Sequence, residues 1–176
     1  AAYISAFLFL LLVTDGQMAW AQGSAADPGT TPPTTQAVGG ALVMKGSTNL
    51  YVGPGTTLDV TELENNLGSN VENRGTIQCS GDWINNGTMT ERTGIVVLDG
   101  GGHGCLQGTT KFNDLTIEKD FSSIHVDINT SSGGNQYVFG SLSLKSGIFD
   151  VSGVSTDSLI LLSDHLGTGR IAEVEA

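Results

Sequence analysis

Basic residues are scarce in this 176-residue sequence. Seven Lys and Arg side chains stand against 18 Asp and Glu, which gives a formal net charge of -11 at pH 7. The seven are also scattered singly, whereas a protein that binds a phosphate backbone needs a clustered positive face. We therefore expect no nucleic-acid partner.

Long amphipathic helical patterns are also missing. Only 14% of the residues are charged, and apolar residues do not recur with the 3.6-residue period of a helix face. The sequence contains 25 Gly and 39% hydrophobic residues instead, a composition typical of many short strands joined by tight turns. It predicts an all-β chain that can bury a core.

The longest continuous apolar run, AFLFLLLV at residues 6–13, is far shorter than the roughly 20 residues that span a bilayer. It is followed by Ala19-Trp20-Ala21, which has small residues where a signal peptidase needs them. We interpret residues 1–21 as a truncated secretory signal peptide cleaved after Ala21. No membrane insertion is then expected of the mature chain.

The rest of the chain divides by composition. Residues 22–40 are rich in Pro, Gly and Thr and predict an extended linker. Order is expected to begin near Ala41, so that residues 41–176 form the folded domain, a fragment that we expect to continue beyond Ala176.

Cysteine is nearly absent, and the two that occur are Cys79 and Cys105. In an oxidising export compartment they are candidates for a disulfide, which would stabilise the fold by about 3 kcal/mol if its geometry fits. The alternative is two small buried hydrophobic side chains that never meet. A zinc site formed by Cys105 and His103 lacks the paired CxxC spacing and is not favoured.

Short apolar runs repeat along the chain between Gly, Asn and Asp corners. NRGTI at residues 73–77 is echoed by NGTM at residues 86–89, and three apolar-x-apolar strands follow at 115–117, 142–144 and 159–161. We expect Ile77 and Cys79 to share one strand face and Met89, Ile95 and Val97 to occupy corresponding positions, stacked inside one tube.

Strands this short gain stability when successive coils stack, so the pattern predicts a parallel β-solenoid, or β-helix. Asn73, Gly75, Asn85, Asn86 and Gly87 would provide corners with positive φ. The alternative architecture is a β-sandwich with hairpin turns at NG and GG, although sandwiches usually have longer strands.

Four segments resemble, in order, the repeat unit of large secreted surface proteins of Bacteroidota. They are GDWINNGTMTERTGIVVLDG, LQGTTKFNDLTIEKD, GSLSLKSGIFDVS and LGTGRIAEV, which together cover roughly residues 75 to 174. The resemblance implies a right-handed solenoid exported by the type IX route, although the sorting domain of such cargo is not present. It also implies that Cys79 and Cys105, which depart from the family pattern, join neighbouring coils, and that Ser158 in Asp157-Ser158-Leu159 is an O-glycan acceptor.

Motifs that carry chemistry are missing as well. His103, His125 and His165 do not have metal-ligand spacing, and neither a GxSxG elbow nor a P-loop occurs. Without an EF-hand or GGxGxD repeats, a structural calcium ion would have to use acid-rich corners. A sugar platform would rest on Trp83, with Tyr51 or Tyr137, but burial of Trp83 in the coil is favoured.

These observations predict a non-catalytic structural or adhesive segment of an exported protein, acting as a stiff β-solenoid spacer at the cell surface or outside the outer membrane. No enzyme activity and no cofactor are expected. Its partners would be surface glycans or other cell-surface proteins. The alternatives are a polysaccharide lyase or hydrolase on the same fold, and a carbohydrate-binding module centred on Trp83.

Overall fold

A computed structural model describes residues 19–21, 35–37, 39–90, 93–128, 134–151, 158–162 and 169–174. Over these ranges the chain is all-β and contains no helix. Accordingly, no described segment is a helix long and apolar enough to cross a lipid bilayer.

The described strands are short, as the brief apolar runs predict. In chain order they are β1 Ala19–Ala21, β2 Thr35–Ala37, β3 Ala41–Met44, β4 Asn49–Val52, β5 Thr57–Val60, β6 Glu62–Asn65, β7 Asn70–Asn73, β8 Thr76–Cys79, β9 Trp83–Asn85, β10 Thr88–Thr90, β11 Ile95–Gly100, β12 Gly104–Gly108, β13 Thr110–Phe112, β14 Asp114–Lys119, β15 His125–Ile128, β16 Gln136–Val138, β17 Ser141–Ser146, β18 Ile148–Asp150, β19 Leu159–Leu161 and β20 Arg170–Val174.

The strands form a parallel β-solenoid of about 5 turns, because every third strand pairs with its equivalent in the next coil. Four sheets result. Sheet 1 is β1-β4-β7-β10, sheet 2 is β2-β5-β8-β11-β14-β17-β20, sheet 3 is β3-β6-β9-β12-β15-β18, and sheet 4 is β13-β16-β19. All described pairs are parallel, so the β-sandwich alternative, which needs antiparallel pairs, is wrong.

The core is built from columns of apolar side chains that run from coil to coil. In sheet 2, Leu58, Ile77, Val96 and Leu115 are register partners in turn, and each is at most 1% exposed. Equal lengths of chain separate these four partners. A longer stretch precedes the next partner, Leu142, which still pairs with Leu115, although the register shifts between Ile117 and Glu118.

Burial alternates along each strand as the pleat requires. Ile77 and Cys79 share the inward face, as predicted. The predicted positions of Ile95 and Val97 are wrong, because Val96 and Leu98 face inward while Ile95 is 38% exposed. Strand β11 is apolar on both faces, so its pattern does not indicate which face is buried.

Sheet 3 contains a ladder of buried asparagine side chains that hydrogen-bond from one coil to the next. Asn65 and Asn85 are register partners, and both are buried. The Nδ2 of Asn65 donates to Oδ1 of Asn85 at 2.8 Å, and Nδ2 of Asn85 donates to the carbonyl of Thr109 at 2.8 Å. Each amide therefore joins its own coil to the next.

The glycine corners satisfy a different requirement from the one predicted. Gly75 and Gly87 do not have positive φ. At Gly75, a Cβ atom would lie closer than 3.0 Å to the carbonyl oxygen of Gly53 in the preceding coil. These corners need glycine because the backbones of adjacent coils pass too close for a side chain.

Two strands precede Ala41, where order was expected to begin. Strand β1 pairs with β4, and β2 pairs with β5, both in parallel register. They lie within the ranges predicted as signal peptide and linker. The apolar run at residues 6–13 and most of the linker lie outside the described residues.

Candidate metal centre

The outward face of sheet 3 carries a column of polar side chains, one from each of five coils. The register of β6, β9, β12, β15 and β18 places Glu62, Asp82, Cys105, Asp127 and Asp150 in line. They stand side by side because the same position recurs in each coil. Four of the five are acids, which concentrates negative charge along this face.

Three side chains at the end of this column meet in one cluster. His125, Asp127 and Asp150 each offer one ligand atom, and these atoms all lie within 4.8 Å of one another. His125 and Asp127 alternate with Val126 on β15 and therefore share a face, while Asp150 is the register partner of Asp127 on β18. The cluster thus joins two successive coils.

Solvent reaches the cluster from one side. The side chain of His125 is 36% exposed and that of Asp127 is 53% exposed, and His125 Nδ1 lies 3.7 Å from Asp127 Oδ1. Asp150 is half-buried. An ion can therefore reach the cluster directly from water.

A second histidine, His103, lies beside His125. The rings of His103 and His125 have centroids 5.5 Å apart, and His103 Nδ1 accepts a hydrogen bond of 3.2 Å from the backbone N–H of His125. A neutral imidazole that accepts at Nδ1 carries its proton on Nε2. Through this hydrogen bond His103 positions the start of β15, and His103 does not belong to the cluster of three ligand atoms.

Sequence reasoning missed this cluster. It treated His103 and His125 as unrelated and did not single out Asp127 or Asp150. His103 and His125 are separated in the chain by about one coil, and so are Asp127 and Asp150. A search for metal ligands at the coil period, instead of within one strand, would have found them. His165 lies outside the described residues.

The predicted disulfide is absent. Cys79 is fully buried on the inward face of β8 in sheet 2, whereas Cys105 lies on the outward face of β12 in sheet 3. The two thiols thus lie on different sheets and point to opposite faces, inward and outward, and they do not form the close Cβ–Cβ approach of a disulfide. Burial raises the pKa of Cys79 to about 11.

Trp83 cannot be a sugar platform, because it is only 1% exposed. Its ring packs against Phe112 with centroids 5.6 Å apart, and its indole N–H donates to Thr110 Oγ1 at 3.1 Å. The carbohydrate-binding module centred on Trp83 is therefore wrong. Ser158 is exposed, and its role as an O-glycan acceptor stays a prediction.

A second group of ionisable side chains surrounds a buried lysine, Lys119. Lys119 is 2% exposed, and its Nζ donates to the backbone carbonyls of Ser80, at 3.0 Å, and of Asp99. Burial lowers the pKa of Lys119, and the negative charge of the nearby Asp99 partly offsets this effect. The pKa of Asp99 is raised, mainly because its carboxylate is also partly buried. The ammonium joins three coils by hydrogen bonds and has a structural role.

Comparison of the chain with protein-family models, with curated proteins and with solved structures found no match. The geometry above is therefore the basis for any functional conclusion.

Proposed function

We propose that this chain is a non-catalytic structural segment of an exported surface protein, in which the β-solenoid acts as a stiff spacer. The observation that carries the proposal is the unbroken column of Leu58, Ile77, Val96 and Leu115, in which each coil packs on the next in register. Stacked coils of this kind resist bending, because the strands inside each sheet are hydrogen-bonded to a neighbour on both sides.

The chemistry of the outer faces supports the same function. Outward positions on sheets 1 and 2 carry mostly short polar side chains, including Asn49, Asn70, Thr76, Thr116 and Ser143. Such a surface stays hydrated, and the net charge of -11 keeps similar chains apart. Export rests on the apolar run at residues 6–13 and on the resemblance to secreted surface repeats.

Stiffness can be measured directly. Asp59 and Ser143 lie four coils apart in one outward column, through Gln78, Val97 and Thr116. With about 4.8 Å between neighbouring strands, their Cα atoms are separated by about 19 Å. Spin labels at these two positions, with Cys79 and Cys105 both replaced by Ala, should give one narrow distance distribution by pulsed electron resonance.

The same labelled chain in urea provides the control and should give a broad distribution. A broad distance distribution for the folded chain would refute the proposal that the solenoid is a stiff spacer. A second assay addresses the lyase or hydrolase alternative, because cleavage of any acidic polysaccharide by the purified protein would make the segment catalytic.

A further inference from the structure

We propose that His125, Asp127 and Asp150 bind one divalent cation of the zinc type on the outward face of sheet 3. The site goes beyond the spacer function and does not depend on it. It is also different from a calcium ion held at acid-rich corners, because its ligands lie on two paired strands and include an imidazole.

The first argument is geometric. In a tetrahedral zinc site with bonds of about 2.1 Å, neighbouring ligand atoms are roughly 3.4 Å apart. The three ligand atoms here already lie within 4.8 Å of one another, and all three side chains are at least partly exposed. To reach the zinc geometry, the ligand atoms would have to approach one another by at most about 1.4 Å.

The second argument is electrostatic. Asp127 and Asp150 are direct register partners on parallel strands, and Asp127 also follows His125 on the same face. Two carboxylates placed opposite each other on neighbouring strands repel, which destabilises the pair. A cation between them turns this repulsion into attraction and holds β15 to β18.

Asp82 provides an internal comparison. It lies in the same outward column, but its Oδ1 accepts a hydrogen bond of 3.0 Å from the backbone N–H of Cys105. That carboxylate already has a structural role within the sheet. In the described part of the column, the carboxylates that cluster with an imidazole are those of Asp127 and Asp150, and they form the metal-binding set with His125.

The donor atoms select the class of metal. Calcium and magnesium prefer oxygen ligands only, and calcium takes six to eight of them. One imidazole nitrogen with two carboxylate oxygens suits zinc and its first-row neighbours. Three protein ligands leave a position for water, as in zinc sites that are not closed by a fourth side chain.

The test uses the full chain, stripped with a chelator and then titrated calorimetrically with zinc, calcium or magnesium chloride. We expect one zinc ion per chain and at least tenfold weaker binding of calcium and magnesium. His125→Gln, Asp127→Asn and Asp150→Asn should each weaken zinc binding at least tenfold. Glu62→Gln, a carboxylate of the same column that lies beside Asp82 without a histidine, is the matched control and should bind zinc like the parent.

Two spectroscopic measurements on the unmutated chain keep the proposal testable if a variant misfolds. Zinc should shift the imidazole nitrogen resonances of His125, and cobalt in place of zinc should give a spectrum without a thiolate charge-transfer band. Zinc binding that survives all three substitutions, calcium binding as tight as zinc binding, or a cobalt–thiolate band from Cys105 would each overturn the proposal.

Discussion

At the scale of single residues, the edge of the core holds two ionisable side chains that burial affects in opposite directions. Cys79 is fully buried, and its pKa is raised to about 11 by that burial. Lys119 lies near it, and burial lowers the pKa of its ammonium. In both cases folding favours the neutral form, so the ionisation of each side chain makes the stability of the fold depend on pH in the alkaline range.

The thiol gives a prediction with a definite sign. Because the folded-state pKa of Cys79 lies above its ordinary value of 9.0, its contribution to stability is fully present below pH 9 and is lost as the pH rises towards 11. Between pH 8 and pH 10 this loss amounts to about 1 kcal/mol. Urea unfolding under reducing conditions should show it as a difference between the parent and Cys79→Ala.

Lys119 changes stability in the opposite direction over an overlapping range, since its folded-state pKa is lowered, but it is present in both proteins and largely cancels from the difference. Cys79→Val serves as a second comparator that fills the space of the thiol. If the stability of the parent and of both variants changed with pH in the same way, the attribution of this pH dependence to the Cys79 thiol would be wrong.

At the scale of the strand and its corner, close backbone contact decides which residues are allowed. The corner between β7 and β8 brings Gly75 against the coil before it, where an added Cβ would lie closer than 3.0 Å to the carbonyl oxygens of both Gly53 and Thr56. Both contacts are with backbone atoms, which cannot rotate away.

We therefore expect Gly75→Ala to lower the free energy of unfolding by about 3 kcal/mol, at the upper end of typical overpacking costs. Gly102 is the matched control, because nothing lies within 4 Å of the position of its Cβ. Gly102→Ala should leave stability unchanged or raise it by about 0.5 kcal/mol. Denaturant unfolding of the two variants side by side tests this, and equal losses would refute the close-contact argument.

The predictability of the fold from sequence also follows from its elements. Apolar-x-apolar strands with polar neighbours, such as the one containing Ile77 and Cys79, show their buried face directly. Residues 115–117 and 142–144, which repeat the same pattern, pair as neighbouring strands. Residues 159–161 have the same pattern but pair with β16 in sheet 4, because pattern alone does not say which wall of the coil a strand occupies.

The candidate metal site was less predictable for a related reason. His125 and Asp150 are distant in the chain, and nothing in either neighbourhood resembles a metal-binding motif. Their proximity depends on the length of one coil, which is not constant along sheet 2. Only the register of β15 against β18 brings them together.

At the scale of the whole molecule, burial declines along the solenoid. In the sheet 2 column, Leu58 and Ile77 are 0% exposed, Leu142 is 2% exposed, and Ile171 on β20 is 55% exposed. In a stack stabilised by contacts between neighbouring coils, a coil that buries less of its core is less stable than one that buries more.

Amide hydrogen exchange should therefore be uneven. We expect the amides of β8 and β11 to exchange at least a hundredfold more slowly than those of β20, because they open only with the central coils. Exchange followed by mass spectrometry on overlapping peptides measures this. Uniform protection along sheet 2 would mean that the solenoid unfolds as a single cooperative unit.

The lengthened coil between Leu115 and Leu142 has an evolutionary consequence. Leu115 and Leu142 remain register partners despite the longer stretch between them, so such a scaffold can lengthen one coil at a time and keep its core column. Diversification of its exterior then requires no compensating change in its interior.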